Sequence, residues 1–448
     1  MKVAVIGTGY VGLVSGACLS EVGHTITCVD RIQDKITKLE QGVIPIYEPG
    51  LDEVVKNNVA AKRLTFTTSM KDAVAQADVV IIAVGTPTRK LDGNADLQYV
   101  FAAAKEIAQS LQGYTVVVTK STVPAGTNEE VKRIISETNA HADFDVASNP
   151  EFLREGNAII DFMEPDRVVV GTETERAKAV MSELYKPFSD KGYAVIHTDI
   201  VSSELIKYAA NTFLATKVSF INEMADLCER LGGNIEDVSL GMGSDNRIGR
   251  AFLRPGPGYG GSCFPKDTLA MVSIGERALS PATIVEAVIA VNRARPHRMT
   301  AKILDALQGN IRGKRIALLG LTFKPDTDDV RDSIALLIAD ELVRGGAKVI
   351  GYDPQGTEEA QHIIGDMIDY ASSAKEAIEG ADIAVLATEW KEITALQPQD
   401  YISALNHPIL VDLRNCYALK DMQDAGLTYY SVGRKPVTSS HGSSALAS

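Results

Sequence analysis

A glycine-rich segment near the middle of the chain carries one cysteine beside two charged residues. Residues 256–267 read GPGYGGSCFPKD, so Cys263 is followed closely by Lys266 and Asp267. Glycines let the backbone approach a ligand closely. A thiol in a polar loop of this kind can be held as the thiolate, whereas a thiol in an apolar core is inert. The segment therefore predicts a nucleophilic cysteine.

The other cysteines have different surroundings. Three lie within apolar stretches, where a free cysteine usually acts as a small core residue: Cys18, Cys28 and Cys228. The role of Cys416, in DLRNCYAL, is left open. Because the cysteines are few, odd in number and widely spaced, they indicate a reducing cytoplasm and predict neither a disulfide framework nor a metal site.

A glycine motif follows the first apolar run of the chain. Residues 7–12 read GTGYVG and fit G-x-G-x-x-G at the start of a helical stretch. In that context Gly7 makes a tight turn, Gly9 lets the backbone approach a pyrophosphate, and Gly12 allows close packing of helix on strand. The N-terminus of the helix then faces the phosphates. The motif predicts a dinucleotide site.

Asp30 ends the second apolar run, about where a carboxylate accepts hydrogen bonds from the adenosine ribose. A carboxylate at this point would repel a 2′-phosphate, so we expect NAD in preference to NADP. The nearby cations Arg31 and Lys35 weaken that discrimination. Without the glycine motif, a solvated residue at a strand end would be the better interpretation of Asp30.

Two further loops follow apolar runs that predict strands. Thr86 and Pro87 come after ADVVIIAV, and Ser121 and Thr122 come after YTVVVTK. Ligands of open α/β sheets bind at the carboxyl ends of the strands. Residues of these types also favour ordinary turns, so both interpretations stay open.

A thiolate beside a nicotinamide permits two oxidations of one carbon. An alcohol that loses a hydride becomes an aldehyde, and the thiolate captures it as a thiohemiacetal. Loss of a second hydride gives a thioester, which water hydrolyses to the acid. This chemistry needs donors for the oxyanions on the reacting carbon.

Two pairs of polar residues at a spacing of four could assist such a reaction. Lys207 and Asn211 share one face of a predicted long helix and could donate to one oxygen, although such a pair is more often a solvated helix face. Glu151 and Glu155 follow the predicted strand at 145–148. Either could orient water or a ribose, or simply favour the first turn of a helix.

The arrangement of apolar runs predicts the fold class. Short β-rich runs alternate with helical stretches, which indicates a parallel sheet covered on both faces: 2–6, 24–29, 77–84, 114–122, 145–148 and 167–171. Residues 202–233 read as one long helix, with Ser202 or Ser203 as its cap and glycines at its end. IALLGLTF, VIGYDP and ADIAVLA then repeat the order of the first runs. We predict an α/β protein with two doubly wound, Rossmann-like domains, joined by a long central helix and a helical middle domain.

Length and charge limit the function classes. At 448 residues the chain exceeds one hydrophobic core. Its net charge of -13 argues against a nucleic-acid partner, while a small anionic ligand needs only a few local cations. No stretch approaches the roughly twenty apolar residues of a membrane span, and MKVAVIG leads directly into a strand without a signal peptide. We therefore expect a cytoplasmic protein that binds neither nucleic acid nor membrane.

From Met1 to about Arg434 the chain resembles the UDP-glucose/GDP-mannose dehydrogenase family. The most specific pieces are GTGYVG, STVPAGT, NPEFLREG, the helix with Lys207 and Asn211, GPGYGGSCFPKD and GLTFKPDTDDVR. The form GGSCFPKD is similar to the UDP-glucose branch, because the GDP-mannose branch tends to have leucine after the cysteine and the N-acetylated branch histidine before it. The resemblance implies oxidation of UDP-glucose to UDP-glucuronate with reduction of two NAD.

The resemblance also implies a role for particular residues. For catalysis it implies Cys263 as nucleophile, Lys207 and Asn211 as oxyanion donors, Asp267 as holder of a water, and Thr122 and Glu151 in proton transfer. With the glycine motif and the loops, the expected NAD site comprises Gly7, Gly9, Tyr10, Val11, Gly12, Asp30, Lys35, Thr86, Pro87, Ser121, Thr122, Glu155, Lys266 and Arg331. The expected sugar-nucleotide site comprises Glu151, Phe152, Leu153, Lys207, Asn211, Phe252, Leu253, Arg254, Pro255, Gly256, Gly260, Phe323 and Lys324, with Arg247 contributed by a neighbouring subunit.

These expectations define a domain plan and leave alternatives open. We predict an NAD-binding domain at 1–198, a central helical and dimerisation domain at 199–300, a sugar-nucleotide-binding domain at 301–434 and a disordered tail at 435–448. The family resemblance implies a homodimer at least. The general base of the first oxidation is open between Lys207 and a water held by Asp267. Another sugar nucleotide such as GDP-mannose, a two-electron hydroxyacid-type dehydrogenase and a non-catalytic dinucleotide sensor remain the alternative functions.

Overall fold

The computed structural model describes residues 1–87, 89 and 94–438, in which strands and helices alternate along most of the chain. The strands are β1 (Lys2–Ile6), β2 (Thr25–Val29), β3 (Leu64–Thr67), β4 (Val79–Ile82), β5 (Thr115–Thr119), β6 (Phe144–Ser148), β7 (Val168–Thr172), β8 (Val195–Thr198), β9 (Arg315–Leu319), β10 (Lys348–Tyr352), β11 (Asp369–Tyr370), β12 (Ile383–Leu386), β13 (Ile409–Asp412) and β14 (Thr428–Ser431).

The helices lie between these strands and in one long stretch between β8 and β9. They are α1 (Tyr10–Glu21), α2 (Gln33–Glu40), α3 (Leu51–Ala60), α4 (Met70–Val74), α5 (Gln98–Ser110), α6 (Thr127–Thr138), α7 (Ala158–Met163), α8 (Glu175–Leu184), α9 (Lys186–Ser189), α10 (Ile200–Leu231), α11 (Ile235–Gly243), α12 (Phe264–Arg277), α13 (Thr283–Ala306), α14 (Ile334–Arg344), α15 (Thr357–Ile364), α16 (Ala374–Ile378), α17 (Lys391–Thr394), α18 (Pro398–Ala404) and α19 (Leu419–Ala425), with a 3-10 turn at Gly365–Met367.

The first sheet is doubly wound. Among the described residues its strand order is β3-β2-β1-β4-β5-β6-β7-β8, and Val3 of β1 pairs with Ile26 on one side and Val79 on the other. The strands read as continuous apolar runs because helices cover both faces of the sheet. The strand order reverses between β1 and β4, and the loops that diverge there form the crevice in which such folds bind ligands.

One pairing in the first sheet departs from the predicted parallel arrangement. Strand β7 runs antiparallel to β6, with Ser148 opposite Gly171, whereas β8 is again parallel to β7. Only the short helix α7 lies between β6 and β7. This short connection explains the antiparallel pairing, because a parallel neighbour needs a crossover that returns the chain to the opposite edge of the sheet.

The second sheet repeats the order of the first, β11-β10-β9-β12-β13-β14. Strand β9 pairs in parallel with β10 and β12, as β1 does with β2 and β4. This confirms the predicted fold class of two doubly wound sheets with a helical region between them. The predicted repeat of three apolar runs corresponds to β9, β10 and β12.

The described chain divides into two compact units. One unit contains the described residues of Met1–Ala210 and Leu269–Ser280, and the other contains Asn211–Thr268 and the described residues from Pro281 onward. The central helices bury a small cluster of their own, at Ala215, Tyr259 and Val288, and they also contribute to the core of the second sheet. Residues such as Ile221 of α10 lie in the same buried cluster as the strands of the second sheet. The boundary falls within α10 and α12, whose backbones continue from one unit into the other.

The predicted long helix is α10, and its first turn is capped differently from the prediction. Asp199 accepts a hydrogen bond from the backbone N–H of Ser202 at 2.7 Å, so the carboxylate, and neither serine, caps the helix. The predicted end is confirmed: Gly232 takes a φ of +80°, and the N–H of Gly233 donates to the carbonyl of Cys228. This is the hydrogen bonding of a glycine-terminated helix.

The predicted tail begins later than Arg434. Val437 exchanges two backbone hydrogen bonds with Tyr429, of 2.8 and 3.0 Å, and so extends the edge of the second sheet. The rest of the predicted tail, 439–448, lies outside the described residues. In the part of the chain that is described, no helix is long and apolar enough to span a membrane.

Candidate functional site

The three motif glycines have three different surroundings. Gly7 has a φ of +101°, and a Cβ there would lie 2.6 Å from the carbonyl oxygen of Ala83. A Cβ at Gly12 would lie 1.9 Å from the carbonyl oxygen of Gly7, whereas a Cβ at Gly9 would have nothing within 4 Å. Gly7 and Gly12 therefore serve the turn and its packing. Gly9 leaves open space at the N-terminus of α1, where backbone N–H groups can donate hydrogen bonds to phosphate oxygens.

Asp30 is organised by the loop that follows β1. Its carboxylate accepts hydrogen bonds from the hydroxyl of Thr8 at 2.6 Å and from the N–H of Ile32 at 3.1 Å, and Lys35 Nζ lies 3.2 Å away. Burial raises the pKa of Asp30, but the hydrogen bonds from Thr8 and Ile32 and the charge of Lys35 outweigh that effect and leave the pKa below its ordinary value. The group is an anion at neutral pH, as the exclusion of a 2′-phosphate requires.

The two loops whose role the sequence does not decide, after β4 and after β5, are hydrogen-bonded to each other. Thr86 Oγ1 donates to the carbonyl of Thr122 at 3.0 Å, and Ser121 Oγ donates to the carbonyl of Val84 at 2.7 Å. Both loops follow neighbouring strands, β4 and β5. They therefore form one continuous wall at the carboxyl edge of the sheet, with Pro87 exposed to solvent.

Glu48 is a buried acid that the sequence analysis missed. It accepts hydrogen bonds from the N–H groups of Gly156 and Ala158, each at 2.7 Å, and from the hydroxyl of Tyr10. Burial, the hydrogen bond to Glu48 and the charge of Glu48 all raise the pKa of Tyr10. Glu48 thus ties the NPEFLREG segment to the start of α1. The only sequence signal was an acid just ahead of Pro49-Gly50.

Lys207 and Glu151 form a buried ion pair. Lys207 Nζ donates to Glu151 Oε1 at 2.8 Å, and the N–H of Leu153 donates to Glu151 Oε2 at 2.6 Å. Burial raises the pKa of Glu151, but the charge and hydrogen bond of Lys207 and the hydrogen bond from Leu153 outweigh it and leave the pKa lowered. Lys207 and Asn211 are 3% and 7% exposed. The expectation that they more often form a solvated helix face is therefore wrong here.

Lys120 is a second lysine in the same buried cluster, also missed by the sequence analysis. It is 4% exposed, and its Nζ donates to Asn149 Oδ1 at 3.0 Å. Burial lowers the pKa of Lys120 to about 8, with Glu151 opposing and Lys207 adding to the shift. The signal in the sequence was a charged residue at the end of the apolar run YTVVVTK.

Phe152 lies between two cations. The guanidinium of Arg167 is 3.7 Å and the ammonium of Lys207 5.4 Å from the centre of its ring. Phe152, Glu151 and Glu155 belong to an irregular loop ahead of α7. The alternative in which the two glutamates favour the first turn of a helix is therefore wrong.

Asp267 has a different partner at each carboxylate oxygen. Asn211 Nδ2 donates to Oδ2 at 2.6 Å, and Lys266 Nζ donates to Oδ1 at 2.5 Å. The residue is 1% exposed. The amide of Asn211, one turn after Lys207 on α10, is therefore oriented by a buried carboxylate.

Cys263 lies at the residue that precedes α12, and its carbonyl accepts the first hydrogen bond of that helix from the N–H of Asp267. The residue is partly exposed, unlike Cys18, Cys28 and Cys228, which are buried as predicted. Ser262 Oγ lies 3.5 Å from the sulfur. The positive end of a helix dipole favours a thiolate at such a position.

A cavity of about 230 Å³ lies beside the glycine-rich segment. Several residues predicted for the sugar nucleotide line it: Phe252, Arg254, Pro255, Gly256, Gly260, Phe323 and Lys324. Two charged lining residues were not predicted, Glu389 and Arg414. Arg414 donates to the carbonyl of Phe323 at 2.7 Å and pairs with Glu389 at 3.1 Å, so the cavity wall holds a fixed guanidinium.

Three further residues predicted to bind a ligand do not line this cavity: Leu253, Arg247 and Arg331. Leu253 is 2% exposed, its side chain belongs to the core of the second unit, and its carbonyl accepts from Ser239 Oγ at 2.6 Å. Arg247 is exposed and pairs with Asp245 at 2.6 Å. Arg331 is also exposed and pairs with Asp329, while its carbonyl accepts from the N–H of Gly261. Across the described ranges, no cluster of three or more His, Cys, Asp and Glu side chains could hold a metal ion.

Family models match nearly the whole chain in three consecutive parts. Residues 1–189 match the NAD binding domain, 201–294 the central domain and 317–419 the UDP binding domain of the UDP-glucose/GDP-mannose dehydrogenase family. The chain belongs to this family. It therefore carries the NAD-binding domain of a family of NAD-dependent oxidoreductases, in agreement with the predicted cofactor.

Individual relatives agree with this membership. A UDP-glucose 6-dehydrogenase of Rhizobium meliloti (strain 1021) is 54% identical over 97% of this chain and 100% of its own length. The UDP-glucose 6-dehydrogenase YwqF of Bacillus subtilis (strain 168) is 47% identical over 98% and 99%. Among solved structures, a UDP-glucose dehydrogenase from Pyrobaculum islandicum matches with a TM-score of 0.89 at 38% identity over 96% of this chain and 97% of that one.

The same fold also occurs in a relative with another sugar nucleotide in its name. A UDP-D-ManNAc dehydrogenase from Pyrococcus horikoshii matches with a TM-score of 0.85 at 26% identity, over 97% of this chain and 99% of that one. The fold of the family therefore does not by itself decide the sugar.

Proposed function

We propose that this chain oxidises UDP-glucose to UDP-glucuronate in two successive hydride transfers, with Cys263 as the covalent nucleophile. The overall change consumes one UDP-glucose, two NAD and one water, and it yields the carboxylate, two NADH and three protons. The observation that carries the proposal is the pair of buried contacts on successive turns of α10, Lys207 with Glu151 and Asn211 with Asp267. Such oriented donors suit an oxygen that gains negative charge.

The steps assign a role to each group. NAD, bound at the glycine motif and Asp30, would accept the two hydrides. After the first, the thiolate of Cys263 adds to the aldehyde carbon and the carbonyl oxygen becomes an oxyanion, which Lys207 and Asn211 stabilise. After the second, a thioester remains. Water attacks that carbon, and the C–S bond breaks to return the thiolate and release the acid.

The lowered pKa of Glu151 and its bond to Lys207 support an ammonium at Lys207 in the resting state. An ammonium can donate to an oxyanion at once, but it must lose a proton before it can act as a base. We therefore favour Lys207 as the oxyanion donor and a water held by Asp267 as the base. Thr122 and Glu151 would carry protons onward.

UDP-glucose is the substrate we propose, because the closely similar enzymes from Rhizobium meliloti and Bacillus subtilis carry its name and GGSCFPKD resembles the UDP-glucose branch. The cavity with Arg414 and Lys324 supplies cations for a diphosphate. The remaining predicted NAD and sugar-nucleotide residues keep their proposed roles, with Leu253 contributing backbone only. We propose that the first unit binds NAD and that the second unit binds the UDP-sugar.

We also propose a homodimer at least, with Arg247 reaching the sugar nucleotide of the other subunit. Phe213, Phe220 and Leu227 recur every seven residues on α10 and are 65%, 42% and 47% exposed. A row of large apolar side chains on one helix face is typical of a protein interface. The five cysteines, all free, support a reducing compartment, and we place the protein in the cytoplasm.

The test is to count NADH per sugar nucleotide. Purified protein with excess NAD and limiting UDP-glucose should release two NADH for each UDP-glucose, with UDP-glucuronate as the product by mass spectrometry. GDP-mannose and UDP-N-acetylglucosamine serve as the comparison substrates. Activity with GDP-mannose alone, or one NADH per substrate with an aldehyde product, would reject the proposal. Binding of NAD without turnover of any sugar nucleotide would favour the sensor alternative.

A further inference from the structure

The inner side of the glycine-rich segment is held by polar side chains from α10 and α13. Asn222 Oδ1 accepts a hydrogen bond from the N–H of Gly256 at 2.9 Å. Arg295 NH2 donates to the carbonyl of Gly256, also at 2.9 Å. Asn222 and Arg295 are both fully buried. Both polar groups of Gly256, a residue that lines the 230 Å³ cavity, are thus fixed from behind.

Asn292 makes two hydrogen bonds to the same segment at Tyr259, three residues after Gly256. Its Oδ1 accepts from the N–H of Tyr259 at 2.9 Å, and its Nδ2 donates to the carbonyl of Tyr259 at 2.9 Å. A Cβ at Gly258 would lie 2.8 Å from Asn292 Oδ1. The side-chain amide of Asn292 therefore pairs with Tyr259 as the backbone of a neighbouring strand would. The absence of a Cβ at Gly258 allows this close approach.

Asp226 sets the direction of Arg295. Its Oδ1 accepts from Arg295 NH1 at 2.7 Å, and its Oδ2 pairs with Arg298. Within the described residues, Arg295 Nε and Asn222 Nδ2 are buried without a hydrogen-bond partner. Buried donors without partners cost stability. The contact with Asp226 fixes the guanidinium that reaches the carbonyl of Gly256.

We propose that Asn292 and Arg295 are positioning residues, which preform the wall of the sugar-nucleotide cavity by fixing the peptide groups of Gly256 and Tyr259. The inference rests on the proposed function, because it assumes that this cavity takes a uridine diphosphate sugar. A ligand that binds one loop conformation has an apparent Kd equal to its intrinsic Kd divided by the fraction of protein in that conformation. Loosening the segment so that about a tenth of the molecules remain competent weakens binding about tenfold.

The experiment compares Asn292→Ala, Asn292→Asp and Arg295→Lys with wild type, using calorimetric titration of UDP and of NAD. Asn292→Asp keeps the acceptor for the N–H of Tyr259 but loses the donor to its carbonyl. Arg298→Met is the matched control, since Arg298 pairs with the same Asp226 and makes no bond to the segment. We expect the Kd of UDP to rise about tenfold for Asn292→Ala and at least as much for Asn292→Asp, because its second carboxylate oxygen would face the carbonyl oxygen of Tyr259. The Kd of NAD should be unchanged in every variant, and the control should bind UDP as wild type does.

Thermal unfolding of each variant separates positioning from loss of structure. An unchanged Kd for UDP in Asn292→Ala or Arg295→Lys at the wild-type Tm overturns the inference, and so does equal weakening of UDP and NAD in those variants. If Asn292→Ala does not fold, Asn292→Asp and Arg295→Lys decide the question by the same criteria. Failure of the wild-type protein to bind UDP would instead reject the proposed function, so the two failures are distinguishable.

Discussion

Asp353 occupies in the second sheet the position that Asp30 occupies in the first. Each follows the strand that neighbours the first strand of its own sheet. Each accepts hydrogen bonds from both the N–H and the hydroxyl of one threonine, Thr322 for Asp353 and Thr8 for Asp30. Asp353 also accepts from the indole N–H of Trp390 at 3.1 Å and is 3% exposed. Its oxygens serve the fold, whereas Asp30 keeps access to solvent.

Asp30→Ala should weaken NAD binding. The variant removes the acceptor proposed for the adenosine ribose and the charge proposed to repel a 2′-phosphate. A hydrogen bond to a charged group contributes about 1.5–3 kcal/mol, so the Kd of NAD should rise about tenfold or more while NADP improves relative to NAD. Fluorescence titration of both cofactors measures this. Asp34→Ala removes the same charge from an exposed position on α2 and should leave both affinities unchanged; equal affinities for NAD in wild type and Asp30→Ala would count against the assignment.

Cys263→Ser should uncouple the two oxidations. A hydroxyl is a far weaker nucleophile than a thiolate, so the variant should release at most one NADH per UDP-glucose or stall as an adduct. Stopped-flow absorbance of NADH with product analysis measures the stoichiometry. Cys416→Ser, which changes a cysteine in the loop after β13, should retain two NADH per substrate. Two NADH per UDP-glucose from Cys263→Ser would reject Cys263 as the nucleophile, and one NADH from wild type and variant alike would point to a two-electron dehydrogenase that needs no thiol.

Lys120→Met should remove a pH dependence of stability. Burial lowers the pKa of Lys120 from 10.5 to about 8. Between these values the unfolded chain binds a proton that the native state does not, so the free energy of unfolding rises with pH. The cost of burying the charged form is fully present below about pH 8 and is lost as pH rises toward 10.5. A shift of this size corresponds to a change on the order of 3 kcal/mol.

Urea unfolding of wild type and Lys120→Met at pH 7, 8.5 and 10 measures this effect. The wild type should gain stability relative to the variant as pH increases. Lys105→Met, at an exposed position on α5, controls for loss of a positive charge. Parallel pH profiles for wild type and Lys120→Met would show that the native pKa of Lys120 is ordinary.

Phe220→Glu should disrupt the proposed dimer. The substitution places a charge in the middle of the exposed apolar row on α10, where desolvation in an interface would be costly. Light scattering should show a lower mass than for wild type, and the midpoint of dissociation should move to higher protein concentration. Ile363→Glu makes the same kind of change at an exposed position on α15 and should leave the mass unchanged. A wild-type protein of single-chain mass at all concentrations would contradict the dimer.

The features that sequence predicts well are those set by local chemistry. The turn at Gly7, the end of α10 at Gly232 and the apolar runs of the sheets depend on neighbouring residues, and the structure has them as predicted. The antiparallel β7 was missed because it depends on how a connection is routed rather than on residue type. The cap at Asp199 was missed because the helix begins a few residues earlier than predicted. Serine next to a helix start is a common cap, but here an aspartate precedes it.

The side chains of the candidate site show the same division. Charged side chains are usually exposed, so the helix pattern alone favours a surface position for Lys207. Its burial is explained by the ion pair with Glu151, which lies 56 residues away in sequence. Lys120 and Glu48 were not considered for the same reason. Their partners Asn149 and Gly156 come from other segments of the first unit. Long-range partners of this kind have no period or motif in a single sequence.

The unequal surroundings of the thiols make Cys263 a practical handle. Burial raises the pKa of Cys18 and of Cys28 to about 12, and burial and the charge of Asp412 raise the pKa of Cys416. A maleimide dye applied near neutral pH should therefore attach first to the partly exposed sulfur ahead of α12. A dye so attached to the purified protein, with no engineered labelling site, would report on the surroundings of this loop while blocking the sulfur itself.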